Sequence, residues 1–516
     1  MMEPLGALVS RCASEVGDGV LLEFEGATLT YAEFDQATTR MARQLQTIGM
    51  TKGDRVGLLF PNGFDYPVCW VAAAKLGAIV VPVNPRYQRD DLAYVLTDAG
   101  VAAVLTTSTA VSRLKEARAF ARARWEICLI DGVEADVDLR DVPESTEAMP
   151  SVQIDDLLNL QYTSGTTGFP KGCKLTHGYW HNLGRRSVEL TRATDADVII
   201  CAQPFYYVDP QWTLVMTLLA RARMVLLPRF SASGFWKSAT DAGATLFYCV
   251  GTMPNMLMAQ PIGAWERAHK LRVIYCSGID PVQHRAFEER WGVRWREAFG
   301  MTETGVDIGV DIDDATSVGS GTLGVVLPGK RATILDPVGA EMPNGTVGEL
   351  CLAGDQMMQG YWNKPEATAA AIRDGWFHTG DLARRDDAGR YYLVGRIKDM
   401  IRRGGENIAA SEVEQAIGGH PAVAGVAVTA RPDPVRGEEV EAFVLAKPGV
   451  ELDPVDLANF LARRIAAFKH PRYVTMVRDF PLTPSDRVEK HKLRVAGNPH
   501  VIRTFDLAER RWSQPL

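Results

Sequence analysis

Residues 162–174 read YTSGTTGFPKGCK, from Tyr162 to Lys174. Gly165, Gly168 and Gly172 let the backbone turn through positive φ and approach a ligand closely. Ser164, Thr166 and Thr167 set hydroxyls beside backbone N–H groups, which makes a nest for an anion. Lys171 adds a point positive charge. The ligand such a loop suits is a polyphosphate. It is not the common nucleotide loop, because G-x-x-x-x-G-K-[ST] occurs nowhere in the chain.

Working outward, short apolar runs alternate with helical patterns. Arg55–Phe60 (RVGLLF), Ile79–Val83 (IVVPV) and Val101–Thr106 read as strands, with helices over Phe64–Gly77 and Asp90–Asp98 between them. That alternation predicts a parallel α/β sheet. Residues 111–150 read as a polar excursion. Asp155–Tyr162 then enters the glycine loop as a buried strand. Beyond it, Thr176–Leu190 reads as a helix, Val198–Ala202 as a strand, Thr245–Met258 as a strand running into a helix, and Arg272–Ser277 as a strand. His177 and His181 stand four apart on their helix. Without a third ligand or an HExxH glutamate, they are expected to be structural or surface residues.

With 516 residues, the chain exceeds one ordinary domain. Its 46% hydrophobic and 23% charged residues describe a soluble globular protein. A net charge of −7 gives no general attraction to nucleic acid or to an anionic membrane. Eight scattered cysteines without a C-x-x-C pair argue against a zinc site or a disulfide framework and fit a reducing cytoplasm. The N-terminus has no signal-peptide pattern, and no run of about 18 apolar residues suggests a membrane span.

The 162–174 string resembles the phosphate loop of the adenylate-forming (AMP-binding) superfamily, which includes acyl-CoA synthetases, peptide-synthetase adenylation domains and beetle luciferases. The likeness continues in family order through Arg296–Gly305 (REAFGMTETG), Gly345–Thr368, Trp376–Asp381 (WFHTGD) and Gly389–Ile408 (GRYYLVGRIKDMIRRGGENI). It implies a large N-terminal domain of doubly wound α/β subdomains plus a small β subdomain, residues 1–396. A hinge at 397–398 and a mobile α+β domain, 399–516, follow. In that last domain Ser411 reads as a helix cap with Glu414 three residues on. Val423–Val428 and Val440–Leu445 read as strands, Leu457–Ala467 as a helix, and Tyr473–Val477 as an edge strand.

Roles carry over residue by residue. Thr163, Ser164, Gly165, Thr166, Thr167, Gly168 and Lys171 would hold the phosphates of ATP. Gly278, in the turn Ser277–Pro281, would cover adenine and Phe299 would stack on it; Ile279 is larger than the residue most relatives carry there. Thr302 would bond the α-phosphate. Glu303 would hold Mg²⁺, which prefers oxygen ligands. Asp381 would accept the ribose hydroxyls, and Arg396 would contact ribose and phosphate. Tyr207 matches a gate between the acyl pocket and the thiol tunnel. Tyr206, Trp212, Gly251, Met253 and Gly300 would line that pocket, with Met256 and Met258 nearby as adaptable apolar surface. Lys398 occupies the hinge. Gly404, Gly405 and Glu406 would close over the pantetheine arm of CoA.

One stretch departs. The family ends with a catalytic lysine in a pattern like P-x-T-x-x-G-K-[IV]-x-K. Here Pro481–Lys490 reads PLTPSDRVEK, so Asp486 and Arg487 replace Gly-Lys while Lys490 stays. The lysine serves adenylation only. An arginine keeps the charge but not the shape. Two expectations follow. Either the chain transfers an acyl group from a preformed acyl-adenylate to CoA, with a separate adenylating ligase as its source, or Arg487 or Lys490 still serves and both half-reactions run. A carrier-protein adenylation module should show a carrier domain, which does not follow here, and the surroundings of Asp209 do not match an amino-group site. A luciferase-like oxygenase and a non-catalytic nucleotide-binding relative are the other classes; intact Glu303, Asp381 and Arg396 weaken the latter. Tyr206, Tyr207, Trp212 and the methionines at 253, 256 and 258 point to a sizeable apolar or ring-bearing acid rather than acetate.

Overall fold

The computed structural model describes residues 2–131, 136–163, 170–250, 253–403, 406–482, 488–495 and 497–513, with backbone only at 406–407. The chain divides into two compact units, one of Met1–Ala332 with Leu352–Phe377 and one of Thr333–Cys351 with His378–Leu516.

The first unit holds two sheets. One runs in the order Val137–Asp138, Glu126–Leu129, Ala103–Thr106, Arg55–Leu59, Ile79–Pro82, Leu157–Thr163, Lys171–Thr176. Its pairs are parallel except the last, where the chain doubles back. Val56, Leu58, Val80, Val81, Val104 and Leu105 have no solvent exposure. Strands covered on both faces by helices read as continuous apolar runs, which is why RVGLLF and IVVPV were legible. The other sheet places Val20–Phe24, Arg223–Leu226, Val198–Cys201, Leu246–Val250, Val273–Ser277 and Arg294–Met301 side by side in parallel. Antiparallel strands flank it, Ala27–Thr30 at one end and Gly305–Gly309 at the other. The expected α/β class is therefore observed.

The second unit carries the hairpin of Trp376–Arg385 with Tyr391–Arg396 and a sheet in the order Glu406–Ala409, Met400–Arg403, Gly437–Ala446, Tyr473–Val477, Val501–Asp506, Arg511–Ser513. Val423–Asp433 pairs along Gly437–Ala446, and the helices Ala410–Gly418 and Pro454–Leu461 bury Val413, Ile417, Leu457 and Leu461 in its core.

Three local expectations change. Residues 111–150 are not only a polar excursion: Val111–Ala121 is a helix burying Val111, Leu114 and Ala117, and Glu126–Leu129 is a parallel strand. Ser411 does not cap its helix. The cap position is Ala409, and the Ser411 hydroxyl donates to the Val394 carbonyl. Tyr473–Val477 is not an edge, because Val501–Asp506 pairs with its far side. All eight cysteines are buried, and none forms a disulfide. No helix among the described residues is long and apolar enough to cross a membrane.

The helices His177–Thr191 and Val208–Ala220 touch at Gly184, where a Cβ would lie 2.6 Å from Val215 Cγ1 and 3.1 Å from the Met216 nitrogen. Gly184→Leu should push the two helices apart at a cost of about 2–3 kcal/mol. A lower thermal unfolding midpoint checks this, with Gly263→Ala, where the new Cβ meets nothing within 4 Å, as the unchanged control.

Candidate active site

The strands Leu157–Thr163 and Lys171–Thr176 pair antiparallel, Thr163 opposite Lys171 and Tyr162 opposite Gly172. Ser164, Gly165, Thr166, Thr167 and Gly168 lie outside the described residues. The base of the loop is tied down. The Tyr162 hydroxyl donates to Asp98 Oδ2 at 2.7 Å, and Lys364 Nζ reaches the other oxygen of Asp98 at 3.0 Å. Lys171 Nζ sits 4.8 Å from the centroid of the Tyr361 ring, whose hydroxyl donates to Glu303 Oε1 at 3.0 Å. One tyrosine thus joins the loop's cation to the expected metal ligand. Sequence reasoning did not single out Tyr361. Its only signal was its place at the end of the GELCLAGDQMMQGYW stretch.

Thr302, Glu303 and Thr304 form the turn between Arg294–Met301 and Gly305–Gly309, closed by the Thr304 N–H donating to the Met301 carbonyl at 3.1 Å. Gly300 is dictated by sterics, since a Cβ there would lie 2.1 Å from the Gly305 carbonyl oxygen. Phe299 stands opposite Ile308 and is half-buried. The Glu303 carboxylate is buried, a hard oxygen donor of the kind Mg²⁺ takes. Its backbone carbonyl accepts from Met358 N at 2.9 Å.

The turn at Gly278, φ +94°, is held from below by Glu297. The N–H groups of Gly278 and Ile279 donate to its two carboxylate oxygens, each at 2.8 Å. The larger side chain of Ile279 is buried in the apolar core with Phe287, Trp291 and Trp295, so its size is taken up by packing. Glu297 is a second residue the sequence did not announce.

Tyr207 precedes the helix Val208–Ala220, and its ring lies 4.4 Å from that of Tyr206, whose carbonyl accepts from Gln161 Nε2. Burial, then the Tyr206 phenol, raises the Tyr207 phenol well above its ordinary value, so it stays protonated. Trp212 meets Tyr248 edge to face at 5.0 Å, and Tyr248 shares a hydrogen bond with Ser277 at 2.8 Å. Met256 is 45% exposed, while Met253 and Met258 are partly buried against the core. Gly251 lies outside the described residues.

In the second unit, Asp381 stands opposite Arg396, with Oδ1 2.8 Å from the guanidinium Nε. Lys398 is exposed in the turn Ile397–Asp399. Glu406 opens the strand Glu406–Ala409, while Gly404, Gly405 and Arg487 lie outside the described residues. Leu482 bridges to Val488, and Lys490 Nζ pairs with Glu414 Oε1 at 2.7 Å and lies 3.7 Å from Asp399 Oδ2. His177 and His181 are both buried. The Nδ1 of His177 accepts the Leu5 N–H at 3.2 Å, and burial lowers its pKa to about 4, a neutral structural imidazole.

Residues 9–362 match the AMP-binding enzyme family, and residues 412–487 match the AMP-binding enzyme C-terminal domain. The chain belongs to the AMP-binding enzyme family. It is an acyl-CoA ligase of the adenylate-forming superfamily. Crotonobetaine/carnitine–CoA ligase of Salmonella paratyphi A is 32% identical over 504 residues, covering 93% of this chain and 97% of its own. The enzyme of that name from Escherichia coli O1:K1 / APEC is 33% identical over 482 residues, covering 90% and 93%. Among solved structures, ATP-bound MatB from Rhodopseudomonas palustris superposes with a TM-score of 0.86 at 29% identity, covering 95% of this chain and 98% of that one. o-Succinylbenzoate CoA synthetase (MenE) from Bacillus subtilis, in complex with the acyl-adenylate OSB-AMP, gives 0.86 at 26%, covering 96% and 99%.

Within this AMP-binding enzyme, burial pushes the Glu297 carboxyl from an ordinary 4.5 up to about 7, against the two N–H donors that lower it. A raised acid adds stability that is complete below pH 4.5 and is lost as pH rises through 7, about 3 kcal/mol in all. The difference in melting midpoint between the native protein and Glu297→Gln should therefore shrink between pH 5 and pH 8. A constant difference would show that Glu297 does not titrate in this window.

Proposed function

We propose that the protein makes an acyl-CoA thioester from an acyl-adenylate and CoA, with the ATP-dependent adenylation step weak or absent. The observation that carries this is the environment of Lys490. It is the remaining lysine of the terminal motif, and it is engaged by Glu414 and Asp399 of its own unit. That pairing supports Lys490 as a structural cation and leaves Arg487 alone at the adenylation position.

The chemistry explains why one substitution divides the reaction. Adenylation brings a carboxylate to the α-phosphate of ATP and expels pyrophosphate, so two anions must meet while negative charge spreads over the phosphoryl oxygens. A lysine bridging both supplies positioning and electrostatic stabilisation together. Arg487 is larger and planar, and Asp486 adds a negative charge beside it where glycine freedom is usual. A displaced donor of this kind costs about 10²–10³ in rate. Thiol attack on the finished acyl-adenylate does not use that cation.

The remaining roles are assigned as follows. The 163–171 loop with Lys171 binds the phosphates, Thr302 the α-phosphate and Glu303 Mg²⁺, which would neutralise phosphate charge. The Gly278 turn and Phe299 enclose adenine. Asp381 and Arg396 hold ribose. Tyr207 gates the acyl pocket formed by Tyr206, Trp212, Gly251, Met253 and Gly300. Gly404, Gly405 and Glu406 guide the pantetheine arm after rotation at Lys398, with domains meeting at 397–398. The Tyr206–Tyr207 and Trp212–Tyr248 ring pairs support a sizeable apolar or ring-bearing acid. A separate adenylating ligase would supply the acyl-adenylate.

Two assays with a panel of bulky acids test this. With acid, ATP and Mg²⁺, pyrophosphate release should be slow or undetectable, and Arg487→Lys should raise it about 10²-fold. With synthetic acyl-adenylate and CoA, thioester should form readily in both proteins. Comparable native rates in both assays would establish instead an ordinary two-step ligase that tolerates Arg487.

A further inference from the structure

Behind the Thr302–Glu303 turn lies a buried ion pair that no motif predicts. Lys330, at the start of the strand Lys330–Leu335, places Nζ 3.1 Å from Asp307 Oδ1, with side chains 2% and 1% exposed. Both partners grip the same residue of the turn. Lys330 Nζ donates to the Thr304 carbonyl, and the Thr304 hydroxyl donates to Asp307 Oδ2. Thr304 is itself fully buried and follows Glu303 directly. Arg186 lines the same small cavity with Tyr179 and Gln356.

A buried lysine–carboxylate pair is a poor way to gain stability, because desolvating two charges offsets most of their attraction. What it does supply is direction. A turn of three residues has few backbone hydrogen bonds of its own. Here its last residue is fixed at both its carbonyl and its hydroxyl by groups that cannot exchange with water. Lys330 thereby fixes the peptide between Thr304 and Gly305 and Asp307 the Thr304 side chain, while the Thr304 N–H donating to the Met301 carbonyl and the Met358 N–H donating to the Glu303 carbonyl hold the peptide before it. Anchoring Thr304 on its far side steadies its neighbour Glu303, whose carboxylate accepts from Tyr361. We infer that Lys330 and Asp307 are positioning residues that orient the Thr302–Glu303 turn for a divalent cation bound with a nucleoside triphosphate. This rests on the assignment of Glu303 to the metal.

The test measures ATP affinity with and without Mg²⁺, and AMP affinity without Mg²⁺, by calorimetry on the full chain. The variants are Lys330→Met/Asp307→Asn, which removes both charges without stranding either, Glu303→Gln, and the triple variant. Lys330→Met alone serves only as a check on folding. The expected result is that the paired variant loses about tenfold of the Mg²⁺-dependent gain in ATP affinity while AMP binding stays within about threefold. In the Glu303→Gln background the paired substitution should add no further loss, as coupled residues require. If the paired variant keeps the full Mg²⁺-dependent gain, or loses AMP and ATP affinity equally alongside a fall in melting midpoint, the pair is structural only and the proposal is overturned. If Glu303→Gln itself keeps that gain, the assignment of Glu303 falls first and the positioning role with it, a result separable from failure of the pair alone.

Discussion

Thr163 facing Lys171 across an antiparallel pair is the constraint on which the first unit's chemistry depends. A glycine-rich loop has conformational freedom to lose on binding. Its two ends here are strands of one sheet, and one of them is wedged between Ile79–Pro82 and its own return. Asp98 secures the strand leading into the loop through Tyr162, and it also takes Lys364 from a distant part of the chain. Tyr361 then carries the constraint to Glu303. The loop, the acidic turn and the stretch around residues 358–364 are therefore positioned as one set, although they are separated by up to about two hundred residues of sequence.

Much of this was legible from residue order alone, for reasons that differ by element. Strands such as Ile79–Pro82 are apolar on both faces and announce themselves. The helix Val111–Ala121 did not, because only Val111, Leu114 and Ala117 are buried and two arginines, a lysine and a glutamate stand among the rest. Ser411 fits a local capping pattern, but a tertiary partner, the Val394 carbonyl, claimed its hydroxyl. Local propensity lost to a long-range hydrogen bond. In the site, the motif residues are local strings and could be read directly. Their supports could not: Tyr361 meets Glu303 from 58 positions away, and Glu297 reaches the Gly278 turn across a strand pair. Aromatic and acidic residues of this kind carry no spacing signal, since what they touch is decided by the sheet order.

The two turns expected to meet the nucleotide share a design. Each is short, and each is held by a buried ionisable group. Under Gly278 the group is the Glu297 carboxyl accepting two N–H groups. Under Glu303 it is the Lys330–Asp307 pair gripping Thr304. Apolar packing is non-directional and leaves a turn free to rock. Hydrogen bonds to buried ionisable groups are directional and strong in a low dielectric, and leaving them unmade is costly. The shifts follow the same physics, Glu297 and Asp307 raised and Lys330 lowered by burial.

That contrast bears on the terminal motif. Lys490 lies in the second unit with two carboxylates about it, the environment of a cation that holds structure together. A lysine meant to bridge two substrate anions needs the reverse: a charge presented to the ligand and left uncompensated by its own domain, so that the incoming phosphate and carboxylate are its best partners. Moving Lys490 to that task would strip Glu414, which also accepts the Val428 N–H, of its cation. The cost of stranding a half-buried carboxylate therefore opposes a register shift. On the function proposed above, Arg487 is then the residue whose chemistry would decide whether this ligase makes its own adenylate or receives it.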